Sequence, residues 1–497
     1  MPSTGARLLG PAAGVVGDVF GPPLRALGLV HARRSSGRAG RTHLEVRGLD
    51  APGEAGARKA LVEELLAVPG VEGAVVNAVV GRVVVDHAPD VALERLVAVV
   101  EEVERRHGHA DAAPDTDGSH PADVTPWSRQ ALALGFDLAG LGLAGVERLL
   151  GLLPLTRRVP PLLIGTLGLL DAVPASRGAA ESTAGNAPTE SWFSLGSAGL
   201  QALGSGPLGL LVDACYRVVR ADEAASRRRV WQAWDAGAPL ERHAAEPVRA
   251  YERPGSLRRG PVEKVGDATG VTTLTAFGAA AALLPERAAA VLLAGTPKAA
   301  RWGREAYAAA AHHAVAEAGI VSMSHSALRQ ADRVDVVVLG EGLAELAGAA
   351  AAVGRVVVVD DAATGYAVQR LQEAGRGVVL VSADDAEGLG AADVGIGLGD
   401  EAPWTAGLRC ADTDQVRAVL AAVAGARAAS VRAAVFALLG SAAGAPITVT
   451  TSLVGLTGRA NAPVSLAALA AIGVNTWAGR TSTRAARSDR EGRIRSV

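Results

Sequence analysis

The sequence predicts a multidomain α+β membrane protein, and three observations point to that fold class. Near the N-terminus, short strands and helices follow one another in a βαββα order. Apolar segments rich in Ala, Gly, Val and Leu, long enough to cross a bilayer, lie in the middle and near the end of the chain. Between them, short hydrophobic strands alternate with helices, which is typical of a parallel sheet. At 497 residues the chain has room for several such domains.

The composition favours packed membrane helices and excludes other kinds of site. The chain is 49% hydrophobic but only 3% aromatic, so its helices must pack through small side chains, as membrane helices do. The formal net charge of -2 gives no basis for a nucleic-acid surface, and we expect no nucleic-acid partner. Cys215 and Cys410 are far apart and form no CxxC motif, which argues against a disulfide scaffold or a thiolate metal site. We therefore predict no metal site and no cofactor.

The first folded unit, residues 42–106, carries the βαββα pattern. Alternating apolar positions mark three strands, while Leu61, Leu65 and Leu66 have helical spacing. The pattern predicts strands at 43–47, 73–77 and 81–86 and helices at 56–68 and 92–104. Strands and helices in this order indicate a ferredoxin-like domain.

The segment after this unit changes composition twice. From His107 it is rich in His, Asp, Pro and Ser, which predicts a solvated linker, although His107, His109, Asp111 and His120 could in principle gather a metal. Apolar helices follow, but Asp137 and other charged residues leave open whether they cross the membrane, lie buried or lie at its surface. A strongly basic helix over residues 216–229 is then expected on the cytoplasmic side.

Two helical pairs are predicted in the second half of the chain. Residues 270–284 form an apolar helix, a turn follows at 285–287, and the chain returns into Thr296, Pro297 and Lys298. A second pair runs from near Gln415, enters the membrane from about Ala433, and ends with a helix over 463–478. The basic tail that follows is expected in the cytoplasm. Between the pairs, the pattern predicts strands at 334–339, 355–360, 377–381 and 393–398 and helices near 343–352 and 366–374.

The run Val-Asp-Val-Val-Val-Leu-Gly-Glu-Gly at residues 334–342 resembles the phosphorylation loop of the P-type cation ATPases. In that family a hydrophobic strand leads into Asp-Lys-Thr-Gly-Thr, whose aspartate attacks the γ-phosphate of ATP. Here Gly340 stands at the aspartate position and is followed by Glu341 and Gly342. Because glycine has no nucleophilic side chain, the resemblance implies a vestigial loop and a catalytically inactive protein.

The resemblance extends to both sides of this loop. Pro297 stands where the family breaks its ion-binding helix at a proline, but Lys298 replaces the Glu or Cys that would help to hold a cation. On the last helix, Asn475 matches an ion-binding Asn of the family. These three residues are interpreted as a vestigial ion path.

The later part of the α/β region resembles the haloacid-dehalogenase-type phosphorylation domain of the same family. Its landmarks are Val-Ser-Ala-Asp-Asp at 381–385 and Ala-Asp-Val-Gly-Ile at 392–396, which supply the vestigial acids Asp384, Asp385 and Asp393. In the ungapped register the Mg²⁺-binding Asp falls on Val381; a second register matches Ser-Ala-Asp to the family's Thr-Gly-Asp. About a dozen residues separate Gly342 from the next strand, too few for a nucleotide-binding domain.

The N-terminal unit is similar to the heavy-metal-associated domain of metal-transporting members, through the phrases at 69–72 and 81–85. The family's metal loop contains Cys-x-x-Cys, whereas this chain has Gly-Leu-Asp-Ala-Pro-Gly at 48–53. Without thiolates a soft metal ion lacks its preferred ligands. We therefore interpret this unit as a fold kept for docking.

These observations divide the chain into nine parts. They are an N-terminal segment (1–41), the heavy-metal-associated-like domain (42–106), a linker (107–126), apolar helices (127–216), a basic cytoplasmic segment (217–266), a transmembrane hairpin (267–312), a degenerate phosphorylation domain (313–428), a transmembrane helix pair (429–480) and a basic tail (481–497). As a whole they most resemble the degenerate N-terminal half of the large actinobacterial P-type ATPases.

The leading functional hypothesis is a catalytically inactive, multi-pass protein of the cell membrane, with its N-terminal domain and its tail in the cytoplasm, that associates with or regulates an active P-type ATPase. One alternative is a minimal cation-transporting ATPase that uses Asp384 or Asp360, and only this reading implies ATP and Mg²⁺. Another is a passive channel or scaffold.

Overall fold

A computed structural model describes residues 33–38, 40–109, 120–150, 162, 166, 169–170, 207–249, 251–359, 364–453 and 455–484. The strands are β1 (Ser35–Arg38), β2 (Arg41–Glu45), β3 (Val71–Asn77), β4 (Arg82–His87), β5 (Val321–Ser322), β6 (Val336–Leu339), β7 (Arg355–Val358), β8 (Val378–Ser382), β9 (Val394–Leu398) and β10 (Leu408–Cys410). The first helices are α1 (Ala55–Leu66), α2 (Leu93–Arg106), α3 (Thr125–Leu150), α4 (Pro207–Gly237), α5 (Pro261–Leu283), α6 (Ala288–Gly295) and α7 (Lys298–Glu317). The later helices are α8 (Ala327–Gln330), α9 (Ala347–Ala351), α10 (Thr364–Glu373), α11 (Ala386–Ala391), α12 (Thr413–Thr450) and α13 (Leu456–Thr481).

The N-terminal unit is an antiparallel sheet covered by α1 and α2. Its strand order is β1-β2-β4-β3, and Leu44, Val83, Leu61 and Leu96 bury the contact between sheet and helices. Successive side chains of a strand point to opposite faces, so His43, next to Leu44, lies on the face away from this core. The strand β1 was not predicted from the sequence; it pairs with β2 at the edge of the sheet.

The second sheet has the order β5-β10-β9-β8-β6-β7. All of its strand pairs are parallel except that of β5 with β10. Along β6, Val337 and Leu339 belong to one buried cluster and Val336 and Val338 to another, so this strand is covered on both faces. A strand that is buried on both faces is a continuous apolar run, which explains why the sequence pattern located it.

Long helices form the rest of the described chain. The basic helix begins earlier and ends later than the sequence suggested: α4 is one helix over Pro207–Gly237. Among the described residues, α12 and α13 are the two helices that are long and apolar enough to cross a membrane. Their outer sides expose large apolar groups, with 60% of Leu439 and 68% of Trp477 accessible. Such exposure suits contact with lipid or with another membrane helix.

Candidate functional site

Gly340, which the resemblance places at the position of the family's aspartate, lies at the carboxyl end of β6, next to β8. The Gly340 N–H donates to the carbonyl of Val381 at the end of β8, over 2.9 Å. A Cβ placed on Gly340 would lie 3.2 Å from that carbonyl oxygen and 3.4 Å from the Ser382 hydroxyl. Ligand sites of open parallel sheets lie at this end of the strands. Gly340 therefore lies at the end of the sheet where such sites are found, and it carries no side chain.

Two of the three acids named from the sequence lie near this edge. The Asp385 carboxylate accepts from the Gly388 N–H at 2.7 Å, which caps α11, and also from the Thr364 hydroxyl. Asp384 is exposed, and one of its oxygens accepts from the Ser382 hydroxyl at 3.2 Å. Asp385 is thus engaged in local structure, because an N-cap carboxylate satisfies a backbone donor at the helix start.

Asp393 lies at the amino ends of the strands, which is the opposite end of the sheet from Gly340. It precedes β9, and its carboxylate accepts from Arg253 Nε at 2.8 Å and from the Val378 N–H at 2.9 Å. Its side chain is 3% exposed. The structure therefore brings Asp384 and Asp385 towards Gly340 but leaves Asp393 at the amino ends of the strands, where its carboxylate contacts the first residue of β8.

The connection from β6 to β7 is short and helical. Glu341 is exposed and Gly342 adopts a left-handed φ of 73°. A single turn at Ala344–Leu346 and α9 then lead into β7. Leu346 is fully buried and packs this connection onto the sheet. Every residue of the connection is described, and its length leaves room for these two helical turns alone.

The predicted broken helix is interrupted at Thr296 and Pro297, between α6 and α7. Proline lacks the N–H of a continuous helix, so carbonyls of the preceding turn lose partners. Side chains supply them instead: the Thr273 hydroxyl donates to Gly295 O at 3.0 Å and the Thr296 hydroxyl to Leu292 O at 2.9 Å. Two of the oxygens in this turn are therefore already hydrogen-bonded.

Lys298 and Asn475 make contacts that do not resemble a cation site. Lys298 Nζ lies 5.4 Å from the centre of the Trp302 ring, within reach of a cation–π interaction. Asn475 is fully buried; its amide donates to Gly303 O at 3.1 Å and Ala429 O at 3.0 Å. Its oxygen accepts from Arg432 Nε at 3.2 Å. Asn475 thus ties α13 to α7 and α12.

A buried cluster of polar residues that the sequence did not reveal lies at the end of α4. His43 Nε2 is 3.0 Å and His243 Nε2 is 3.1 Å from the same oxygen, Oδ1 of Asp235. All three residues are at least 95% buried, since their exposed fractions are 3%, 1% and 5%. We call these three residues the His–Asp–His cluster. They are the one group of His, Cys, Asp and Glu in the described residues whose ligand atoms could together hold a metal ion.

The electrostatics of this cluster favour an ionised Asp235. Burial alone would raise the pKa of Asp235, but the hydrogen bonds from His243 and His43 outweigh it and hold this pKa well below its usual range. Burial lowers the pKa of His243, while the Asp235 carboxylate acts in the opposite direction. Imidazole nitrogens and a carboxylate oxygen are ligand types that bind Zn²⁺ in proteins.

Tryptophan rings surround the His–Asp–His cluster. The Trp231 ring centre is 5.8 Å from that of His43, and the Trp234 and Trp404 rings are 5.2 and 5.8 Å from that of His243. His120, which was predicted in a solvated linker, is 8% exposed and lies 4.7 Å from Trp231. For His120 that prediction was wrong, because a polar composition does not reveal packing against a distant helix; residues 110–119 of the predicted linker, with Asp111, lie outside the described residues. The concentration of aromatic rings is the sequence signal that was missed.

Comparison with known proteins supports the resemblance seen in the motifs. No family model matches the chain. It is 28% identical over 332 residues to proteins named probable cation-transporting ATPase I from two Mycobacterium tuberculosis strains, covering 56% of this chain and 20% of those proteins. It is 43% identical over 89 residues to the protein of that name from Mycobacterium leprae, covering 17% of this chain and 5% of that protein. The match thus spans about a fifth of the length of the first two relatives. Over the matched residues the chain is similar in sequence to these proteins named as cation-transporting ATPases, which agrees with the P-type cation ATPase resemblance of its motifs.

Proposed function

We propose that this chain is a P-type ATPase-related membrane protein that forms no phosphoenzyme and that associates with and regulates an active cation-transporting ATPase. In this proposal the N-terminal sheet is a ferredoxin-like docking domain, and the second sheet is a degenerate haloacid-dehalogenase-like domain. The observation that carries the proposal is Gly340 at the carboxyl end of β6, because phosphoryl transfer to a protein needs a nucleophilic oxygen at that place.

The surroundings of Gly340 also support the proposal. The connection between β6 and β7 is too short to hold a domain that binds adenine. Asp385, one of the two acids at this end of the sheet, already caps α11. A carboxylate that accepts two hydrogen bonds within its own domain is a poor substitute for a nucleophile aligned with ATP.

The vestigial ion path gives a second line of support. Lys298 would place a positive charge at the helix break, and a like charge disfavours a bound cation. The polar atoms of Asn475 are engaged in ties between helices rather than free to face an ion. These contacts therefore favour regulation of a partner over cation transport by this chain alone.

Phosphorylation by labelled ATP tests the loss of catalysis. We expect that neither the wild-type chain nor Gly340→Asp takes up γ-phosphate in an acid-stable, hydroxylamine-sensitive form, with an active P-type ATPase as the positive control. Gly340→Asp should stay unlabelled because the variant gains a nucleophile but no ATP-binding domain. Labelling of the wild-type chain would refute the proposal, and labelling of Gly340→Asp would show that ATP still reaches the loop.

Affinity isolation tests the proposed partnership. The tagged chain, taken from its native membrane in mild detergent, should bring down an intact P-type ATPase in a fixed ratio. Recovery without such a partner would contradict the regulatory role.

Equilibrium binding of labelled ATP distinguishes this proposal from the alternative of a minimal ATPase. ATP binding by the wild-type chain, with ATP hydrolysis that is lost in Asp384→Asn, would favour the minimal ATPase. The other carboxylate of that reading, Asp360, lies outside the described residues.

A further inference from the structure

The His–Asp–His cluster joins three segments that are far apart in the chain. His43 is on β2 of the N-terminal sheet, Asp235 is in the last turn of α4, and His243 is in the turn at Leu240–His243 that follows. Because His43 lies on the face of β2 away from the domain core, it is directed at α4. The cluster therefore lies at the junction between the N-terminal unit and the end of α4.

The distances within the cluster match those of a metal site. The ligand atoms of the three residues all lie within 4.8 Å of one another. Two of the separations are 3.0 and 3.1 Å, whereas ligands about 2.0–2.1 Å from a tetrahedral zinc ion lie about 3.3 Å apart. An opening of a few tenths of an ångström in these separations would admit the ion. Without an ion, both imidazoles are hydrogen-bonded to one carboxylate oxygen.

The donor set selects a class of metal. Two imidazole nitrogens and one carboxylate oxygen suit Zn²⁺ and the neighbouring divalent ions Co²⁺, Ni²⁺ and Cu²⁺, whereas Mg²⁺ and Ca²⁺ prefer oxygen ligands alone. Three protein ligands leave the fourth tetrahedral position to a further group. The tryptophan rings around the cluster lower the local dielectric, which strengthens the attraction between a cation and a carboxylate.

Arg41 opposes metal binding and sets an upper limit on affinity. Its Nη1 lies 3.3 Å from His243 Nε2 and 3.6 Å from the Asp235 carboxylate. The guanidinium is also held by the Asp86 carboxylate at 2.6 and 2.8 Å, by the carbonyl of Ala238 at 2.8 Å and by the main-chain carbonyl of Asp235 at 3.0 Å. Asp86 balances its charge, so an ion would displace Nη1 from its two contacts with the ligand side chains while the contacts with Asp86 and with the carbonyls remain. We expect weaker binding than in a site with the same donors and no adjacent cation.

We propose that His43, Asp235 and His243 form a site for a Zn²⁺-class divalent metal ion that fastens the N-terminal unit to the end of α4. This site uses none of the residues of the vestigial loop or ion path. It is also independent of the proposed function: the site can fail while the chain remains an inactive regulator, and the converse also holds.

Metal titration of the full chain tests the site. The purified chain in detergent is stripped with a chelator and titrated with Zn²⁺ by calorimetry and with Co²⁺ by visible absorption. We expect one Zn²⁺ per chain and the absorption bands of tetrahedral Co²⁺. His43→Gln and His243→Gln should each weaken binding roughly tenfold or more. The matched control is His87→Gln, because His87 is in the same N-terminal unit but pairs with Thr42 outside the cluster.

Two further measurements keep the proposal testable if a variant misfolds. Circular dichroism checks the fold of each variant, and Zn X-ray absorption on the wild-type chain reports the ligands directly. The expected spectrum contains imidazole scattering from two histidines together with a light-atom oxygen ligand. Absence of Zn²⁺ uptake by the wild-type chain, a spectrum without imidazole, or uptake that is lost equally in His87→Gln would each overturn the proposal.

Discussion

Removal of one buried cation, Arg329, should destabilise the junction of three helices. This residue is on α8, and its side chain is 11% exposed. Its Nε donates to Glu305 on α7 at 2.7 Å, and its Nη2 donates to Glu223 on α4 at 2.5 Å. The two carboxylates are 9% and 5% exposed. Arg329→Met keeps most of the side-chain volume, but it removes the positive charge that the buried carboxylates of Glu305 and Glu223 share.

The structure sets the size of this effect. Loss of one partner from a buried ion pair costs about 3–5 kcal/mol, because the remaining charge stays desolvated. Arg220 remains 3.1 Å from Glu305 and 3.4 Å from Glu223, which argues for the lower end, about 3 kcal/mol. For a cooperative unit of roughly 150–250 residues, this loss lowers the unfolding midpoint by roughly 6–12 °C.

Thermal unfolding of the purified chain in detergent, followed by tryptophan fluorescence, measures the shift. Arg370→Met is the matched control, because Arg370 lies on the exposed side of α10 beside Tyr366, where substitutions change stability by less than about 0.5 kcal/mol. Arg329→Met combined with Glu305→Gln should lose less than the sum of the single variants, since one uncompensated anion is removed. An unfolding midpoint of Arg329→Met equal to that of Arg370→Met would refute the reasoning.

Two further predictions concern acid and the last helix. Burial alone would raise the pKa of Glu223, but the charges of Arg329 and Arg220 outweigh it and lower this pKa from 4.5 to about 2; its stabilisation is therefore complete above about pH 4.5 and is lost as the pH falls towards 2. Glu223→Gln should flatten the fall of the unfolding midpoint over that interval, and an unchanged acid profile would contradict the assignment. Asn475→Ala should cost about 2 kcal/mol, because its amide and oxygen make three hydrogen bonds between helices at about 0.5–1.5 kcal/mol each. Unfolding in detergent checks it, with Val474→Ala, which is 41% exposed, as the neighbouring control; equal midpoints would show that the tie carries no stability.

Local signals in the sequence were enough to locate most of the regular elements. The break at Pro297 follows from the missing N–H of proline, and the apolar run of β6 follows from burial on both faces. The edge strand β1 gave no such signal. The four residues of β1 have the sequence Ser-Ser-Gly-Arg, without apolar alternation, and they form a strand because β2 supplies hydrogen-bonding partners.

Contacts between distant segments could not be predicted from one sequence. His43 and Asp235 are 192 positions apart, and no spacing rule relates residues at such a separation. The contact of Asp393 with Arg253 is a second example, because these two residues are 140 positions apart. The sequence shows which residues can bind or react, but which of them lie next to one another depends on the topology of the fold.

The helix α12 connects the second sheet to the apolar helices at the end of the chain as one long rigid element. It begins three residues after β10, with its first turn capped by Asp412, and includes Pro446 only near its far end. From Thr413 to Ala445 it extends about 50 Å at 1.5 Å per residue. A tilt of about 5° at one end would move the other by about 4 Å over that length. If a neighbouring protein tilted α12 by this angle at its apolar end, the end next to β10 would therefore move by a distance comparable to the spacing between adjacent strands.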